Sequence, residues 1–271
     1  MFDLAKALGM GEALARMSKL PRNNLNEFGF DPFGYSPDFV RKVAPFALAF
    51  YSLYFRTQVF GIDRVPRGRV LLVANHSGQV AIDGMIIVAA TMLEAPEPRI
   101  IRSMVEKWLP TLPFVSYFMA RTGQVVGTPD NCVRLLERDE GIVVFPEGVK
   151  GISKPFSKRY QLQEFGHGFM RLALQTHTPV VPVAVIGGEE QYPSIHNSRT
   201  LARLFGAPSF PITPTLVPLP VRYRLYFGEP MVIHGEPDED DRLVDMKVRS
   251  VRSALQALIH RGLRERKHVF W

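Results

Sequence analysis

Three short runs of consecutive apolar residues set the frame of the chain. Val70-Leu71-Leu72-Val73-Ala74, Gly141 to Phe145 and Pro179 to Ile186 are apolar without alternation, and each ends in turn-forming or polar residues. A strand buried on both faces reads this way, because neither face can carry a wet side chain. Between the runs, Asp83 to Leu93, Pro129 to Arg138 and Phe165 to Gln175 read as helices. Strand and helix in alternation predict an α/β fold, a mixed and largely parallel sheet flanked by helices. Val221 to Phe227 alternates and predicts an edge strand with one wet face. About Glu239 to Arg266 predicts a long amphipathic helix, apolar through Leu243, Met246, Val251, Leu255, Leu258 and Ile259. It leads into a basic, aromatic end, Arg264 to Trp271.

The N-terminal part differs in style. Residues 1–20 carry a short amphipathic pattern, with Phe2, Ala5 and Leu8 set against Lys6, Arg16 and Lys19. Phe28, Phe30, Phe33 and Tyr35 sit in a loop rich in Gly, Pro and Asp and need burial in protein or in lipid. Val43 to Phe55 is the strongest apolar segment, but Pro45 and Ser52 interrupt it, and it falls short of the roughly 20 residues of a spanning helix. The expected layout is an N-terminal helical, membrane-associating segment over 1–58, a core domain over 59–235, and a C-terminal helix with a basic tail over 236–271. No secretory signal is visible, since Asp3 stands where a basic stretch is needed.

Composition narrows the partners. A chain of 271 residues, 46% hydrophobic and 22% charged, can bury one sizeable core. A net charge of +7 suits an anionic membrane face or nucleic acid. The basic residues are scattered among apolar ones, with no zinc-finger or RRM signature, so a membrane surface is expected and nucleic acid is not. The single cysteine, Cys132, excludes an intrachain disulfide and sits in a helix-like stretch that predicts packing. The expected location is the cytoplasmic face of a membrane, peripheral or monotopic.

In an open α/β sheet, functional groups gather beyond the C-terminal ends of the strands. The turns at His76, Glu147 and Gly187-Gly188 all fall on that edge. His76 closes the first run. Asp83, seven residues on, is placed to N-cap the following helix, and equally to fix the tautomer of a basic imidazole. Glu147, between Pro146 and Gly148, is either a turn residue facing water or an acceptor for a substrate hydroxyl. Each signal is weak alone; on one edge they reinforce each other.

Together these residues resemble the glycerolipid and lysophospholipid acyltransferase family, with features of its diacylglycerol and phytyl-ester branch. The resemblance covers about Val59 to Pro230 and rests on Asn75-His76 with a nearby Asp, on Phe145-Pro146-Glu147-Gly148, and on Val180-Val181-Pro182-Val183. It implies an acyl-CoA or acyl-carrier-protein donor, a glycerolipid hydroxyl acceptor, a place in phospholipid and glycerolipid metabolism, and no metal or organic cofactor. It also implies His76 as base, Asp83 as its orienting partner, and Glu147 with Gly148 in the acceptor site. Two departures stand out. The family's Asp position is Ala81 here, so the loop must bulge for Asp83 to reach His76, and the phosphate-gripping Arg of the second motif is missing, leaving Arg121 just upstream as its substitute.

Lys150, Lys154, Lys158 and Arg159 follow the Glu147 turn and suit phosphate groups of a substrate, or form a solvated basic loop. Trp108 to Phe118 is aromatic and proline-broken, suited to core packing, an acyl-chain wall or a membrane-dipping surface. Backbone N–H groups near Gly78 or Gly148 are candidates to hold an oxyanion. A lipid esterase and a non-catalytic lipid-binding protein are the competing readings. Against the first, the chain holds no Gly-x-Ser-x-Gly elbow, and Ser77 adjoins His76 in sequence. A metallohydrolase is weaker still, because the seven histidines show no His-x-x-x-His spacing.

Overall fold

The structure is a computed structural model that describes residues 11–22, 24–77, 82–204, 210–215 and 217–271. Phe2, Ala5, Lys6 and Leu8 of the amphipathic N-terminal pattern lie outside the described residues. The chain opens with α1 (Gly11–Ser18) and α2 (Pro37–Leu48), the latter continued by a π-helical turn over Ala49–Tyr54. Ser36 caps α2 by accepting from Phe39 N, and Pro37 occupies the first turn, where its missing N–H costs nothing. Ala44, Leu48, Tyr51 and Phe55 form the buried stripe of this segment, while Phe46 and Leu53 face outward.

A seven-stranded sheet forms the centre, in the order β1-β9-β6-β2-β5-β3-β4. Its strands are β1 (Gln58–Phe60), β2 (Val70–Ala74), β3 (Ile101–Val105), β4 (Val125–Val126), β5 (Gly141–Val144), β6 (Val180–Ile186) and β9 (Arg224–Phe227). Every pairing is parallel except β6 with β9. The separate β7 (His196–Asn197) and β8 (Pro211–Ile212) make a small antiparallel pair. The three apolar runs are the three central strands, buried on both faces as expected.

Alternate residues of β2 feed two cores. Val70, Leu72 and Ala74 pack with α1, α2 and α3 (Ile82–Leu93), and Leu71 and Val73 face the other way. That second core holds α5 (Pro129–Leu136), α7 (Gly168–Thr176) and the long α10 (Asp241–Glu265). The short helices α4 (Val115–Arg121), α6 (Val149–Ile152), α8 (Gly188–Gln191) and α9 (Arg199–Leu204) complete the order.

Several expectations need correction. The alternating segment at Val221 to Phe227 is no edge strand: β9 lies between β1 and β6, and all four of its residues are buried. Its Arg224 misled the pattern, because the side chain is covered and donates to His268 O. The true edges are β1 and β4, too short to leave a periodic signal. β3 was hidden by Arg102 and Ser103, both buried within it. On α10 the buried stripe runs through Val244, Val248, Val251, Leu255 and Ile259, which leaves Leu243 and Met246 off the stripe and exposed. Cys132 is buried in α5 as expected, and burial pushes its thiol up to about 11.

The aromatic loop at Phe28 to Tyr35 is held by charge. Asp31 accepts from the backbone of Phe33 and Tyr35 and from the Arg102 guanidinium, which also donates to Glu140 Oε2 at 2.7 Å. Tyr35 is buried beneath Arg102, Phe30 lies under the Arg121 guanidinium, and Phe33 meets Arg134 and Arg138, so only Phe28 of the four stays outside. Replacing Arg102 with Met strands two carboxylates. It is expected to cost about 3–5 kcal/mol in urea unfolding, and a loss below about 1 kcal/mol would contradict this tethering.

Candidate active site

The site is built where β2 and β5 stop. Asn75, the first residue past β2, exchanges two hydrogen bonds with the backbone of Val185: its Nδ2 donates to the carbonyl at 3.0 Å and its Oδ1 accepts from the N–H at 2.8 Å. That clamp fixes the strand end against β6 and delivers His76 to the sheet edge. The His76 ring is 4.3 Å from the ring of Phe145, stacked at 23°. Its Nδ1 lies 2.7 Å from Asp83 Oδ2.

Asp83 does reach His76 despite the altered spacing, and the same oxygen accepts from Ser77 N at 2.9 Å, with Oδ1 taking Gly84 N at 2.8 Å. The carboxylate is fully buried. The N-cap role is corrected: the helix begins at Ile82, so Asp83 stands inside its first turn and turns back to the loop. Gly78 and Ala81 lie outside the described residues.

Glu147, expected to face a substrate hydroxyl, is turned into the protein. Its side chain has no exposure, Oε1 accepts from His76 N at 3.0 Å, and Oε2 accepts from Gln163 N at 2.7 Å. Lys154 Nζ stands 3.3 Å from Oε2 and 2.9 Å from Glu189 Oε1. Burial pushes the Glu189 carboxyl up, against the pull of Lys154. Nothing in the sequence singles out Glu189, which directly follows the Gly187-Gly188 turn; Glu189, Glu190 and Gln191 are all buried.

Beside His76 opens a cavity of about 1190 Å³, above the roughly 300–1,000 Å³ usual for small-molecule sites. Met85, Ala89 and Met92 line it from one face of α3, Val43 and Ala47 from α2, Phe114 from the start of α4 and Phe118 from within it. The α3 contribution was legible as a helix but not as a wall, because an all-round apolar helix does not show which side faces a void. Gly148 also lines the cavity, with φ +52° and ψ −142°, a conformation that favours glycine. Its N–H donates to Phe145 O at 2.9 Å and is therefore not free for an oxyanion.

The remaining expected site residues lie off this cavity. Arg121 donates to Gly34 O at 2.9 Å, with its guanidinium 3.6 Å above the centre of the Phe30 ring. Lys150 pairs with Glu164 at the surface, and Lys158 and Arg159 are exposed. Lys154 is the buried exception. Among the described residues the ionisable side chains lining the cavity are His76, Glu106 and Lys107. The hydroxyl of Ser77 is buried against Gly188, without a hydrogen-bond partner among the described residues and not bonded to His76, which speaks against a serine-hydrolase arrangement. Among the described residues no group of three or more His, Cys, Asp or Glu is set to hold a metal ion.

A family profile described as Acyltransferase matches residues 56–186. An uncharacterized protein of Mycobacterium tuberculosis is 36% identical over 99% of this chain and 78% of its own length. One of Mycobacterium leprae is 38% identical over 90% and 71%. A mouse protein named DGAT1/2-independent enzyme synthesizing storage lipids is 21% identical over 76% of this chain and 60% of its own. Among solved structures, the 1-acyl-sn-glycerophosphate (LPA) acyltransferase PlsC of Thermotoga maritima shares the fold, with a TM-score of 0.55 at 17% identity, covering 84% of this chain and 80% of that one.

Gly151 tests the tightness of the site. A Cβ there would meet His76 Cβ at 2.8 Å and Glu147 Cβ at 2.9 Å, whereas one at Gly166 meets nothing. Gly151→Ala is expected to lose about 1–3 kcal/mol in chemical denaturation and Gly166→Ala to stay within about 0.5 kcal/mol of wild type. Equal stabilities would show that the His76 loop yields freely.

Proposed function

The chain belongs to the glycerolipid acyltransferase family, and from that membership we propose that it moves a fatty acyl group from an acyl thioester to a hydroxyl of a glycerolipid-type acceptor, with His76 as general base. The observation that carries this reading is the 2.7 Å contact of His76 Nδ1 with a fully buried Asp83, at the side of a large apolar cavity. A carboxylate on Nδ1 holds the ring proton there, so Nε2 keeps its lone pair for a substrate.

The chemistry follows in balanced steps. Nε2 takes the proton of the acceptor hydroxyl as its oxygen bonds to the thioester carbonyl carbon, and Asp83 stabilises the imidazolium. The tetrahedral adduct then collapses, the carbon–sulfur bond breaks, and the imidazolium gives its Nε2 proton to the departing sulfur, which leaves as the free thiol and returns His76 to its starting state. No acyl-enzyme is formed and no cofactor is drawn on; the donor is acyl-CoA or acyl carrier protein, with its acyl chain in the cavity.

Two observations favour an acceptor without phosphate, of monoacylglycerol or diacylglycerol type. Lys107 is the one Lys or Arg among the described residues lining the cavity, and Glu106 stands beside it. The mouse relative is named for the synthesis of storage lipids.

We further place the protein at the cytoplasmic face of a membrane, peripheral or monotopic. No described helix is long and apolar enough to cross a bilayer. Exposed aromatic side chains nonetheless adjoin the cavity: Phe114 is 89% exposed, Phe118 is 49% exposed, and both also line it. A surface of this kind lets a lipid pass from bilayer to cavity without crossing water.

The test is thiol release from oleoyl-CoA and from oleoyl-acyl carrier protein, across lysophosphatidate, monoacylglycerol, diacylglycerol and a long-chain alcohol. Release that needs a neutral acceptor, and falls roughly 100-fold or more in His76→Ala, is expected. Turnover near wild type in that variant would defeat the base assignment, and a strict need for lysophosphatidate would defeat the neutral acceptor. In flotation with phosphatidylglycerol-containing vesicles, wild type is expected to float. Phe114→Ser/Phe118→Ser is expected to lose several-fold in bound fraction; equal binding would contradict the docking surface.

A further inference from the structure

Lys154 is a buried cation that the proposed chemistry does not use. Its side chain is 3% exposed, and it sits between two buried carboxylates, Glu147 and Glu189, with Gln161 O 3.4 Å away. The sequence suggests a phosphate-binding lysine, yet Nζ lies among protein acceptors and the residue is absent from the lining of the cavity. An ammonium in that place acts on its neighbours. Glu147 reaches His76 only through the backbone: its Oε1 receives the His76 N–H, and its Oε2 receives Gln163 N–H and Lys154. Without Lys154 the cluster would hold two buried carboxylates and no cation, and one of them would have to take up a proton or move. A protonated or displaced Glu147 is a weaker acceptor for the His76 N–H, and the imidazole would lose one of its two supports.

We propose that Lys154 is a positioning residue for the transfer reaction, acting on His76 through the Glu147 carboxylate, with Glu189 as the second anchor of its ammonium. The kinetic part of this rests on His76 being the general base; the structural part, the coupling of Lys154 to His76 through Glu147, does not. Three features single out this path. The contact chain is continuous, from Glu189 to Lys154 to Glu147 to His76 N, with separations of 2.9, 3.3 and 3.0 Å. Each member is buried except the His76 ring, which is 13% exposed. Gly151 packs against both His76 and Glu147 with no room even for a Cβ, so a displaced Glu147 side chain is not accommodated on that side and presses on the His76 segment.

The experiment compares Lys154→Met in the wild-type and Glu147→Gln backgrounds, by steady-state kinetics and by NMR of [15N]histidine-labelled protein. His76 is assigned, among seven histidines, by its absence from the His76→Ala spectrum. In the wild-type background kcat is expected to fall about 10- to 100-fold with the donor KM within about 3-fold, as for a misplaced catalytic group. In the Glu147→Gln background the further fall is expected to be less than about 3-fold, because the path is already broken. The His76 ring signals should move in Lys154→Met and in Glu147→Gln, and not move further in the double variant.

Full multiplication of the two kinetic losses, or His76 signals that ignore Lys154→Met, would overturn the proposal. A rise in donor KM with kcat preserved would overturn it too and restore the phosphate-binding reading. If Lys154→Met does not fold, Lys154→Met/Glu189→Gln removes one charge of each sign and carries the same comparison. Failure of both to fold would assign Lys154 to the fold alone and overturn the proposal. A wild-type protein that consumes no thioester refutes the acyl-transfer reading, and the NMR arm still decides the coupling.

Discussion

One hydrogen bond organises the site: the backbone N–H of His76 donating to the buried carboxylate of Glu147 at 3.0 Å. It joins the segments that leave β2 and β5, two strands whose registers already run parallel from Val70 and Gly141. The strands bring their C-terminal ends to one edge, but there the ladder stops and the chain must turn. A buried acceptor that takes the first free N–H past Asn75 continues the order of the sheet for one more residue, and that residue is the histidine. The clamp of Asn75 on Val185 does the same from the β6 side. His76 is therefore fixed by its backbone from two neighbouring strands before its ring makes any contact.

The ring is then set by a division of labour between two carboxylates. Asp83 is taken up by Nδ1 and by two backbone N–H groups, so it orients the imidazole through hydrogen bonds alone. Glu147 is spent on backbone and on Lys154, so it holds the loop without touching the ring nitrogens. Both anions are inaccessible, which makes their hydrogen bonds costly to lose, about 1–3 kcal/mol or more for each unsatisfied group. The apolar cavity lies on the other side of His76, floored by Phe145 and walled by α3. Polar order behind the histidine and hydrocarbon in front of it suit an enzyme that joins a long acyl chain to a hydroxyl.

Much of this was legible along the chain, and the exceptions share a cause. Central strands announce themselves because both faces exclude water, as in Val70 to Ala74. The turn residues at their ends, His76, Glu147 and Gly187, follow at once from the topology. Partnership between side chains does not. Nothing in the pattern says that Lys154 is buried while Lys150 and Lys158 are not, since all three stand in one Gly- and Ser-rich stretch; only the placement of Glu147 and Glu189 decides it. The same holds for Arg102 and Arg224, whose charge suggested exposure until their partners were seen. Arg121 was read for its chemistry and is occupied by Gly34 and Phe30. Asp83 is the opposite case: the lengthened spacing left its reach to His76 dependent on a bulge, and the contact is made at 2.7 Å.

The account stands on the ring of His76 being held in one tautomer by Asp83, and Asp83→Asn tests that most directly. With its oxygen in place of Oδ1 the amide still accepts from Gly84 N–H, while its NH2 in place of Oδ2 donates to Nδ1, draws the proton to Nε2 and leaves the Ser77 N–H without that acceptor. The expected result is a folded protein with donor KM near wild type and kcat lower by a factor on the order of 10³ to 10⁴. A variant that turns over thioester within about 3-fold of wild type would contradict the account, since His76 would then work without its orienting carboxylate.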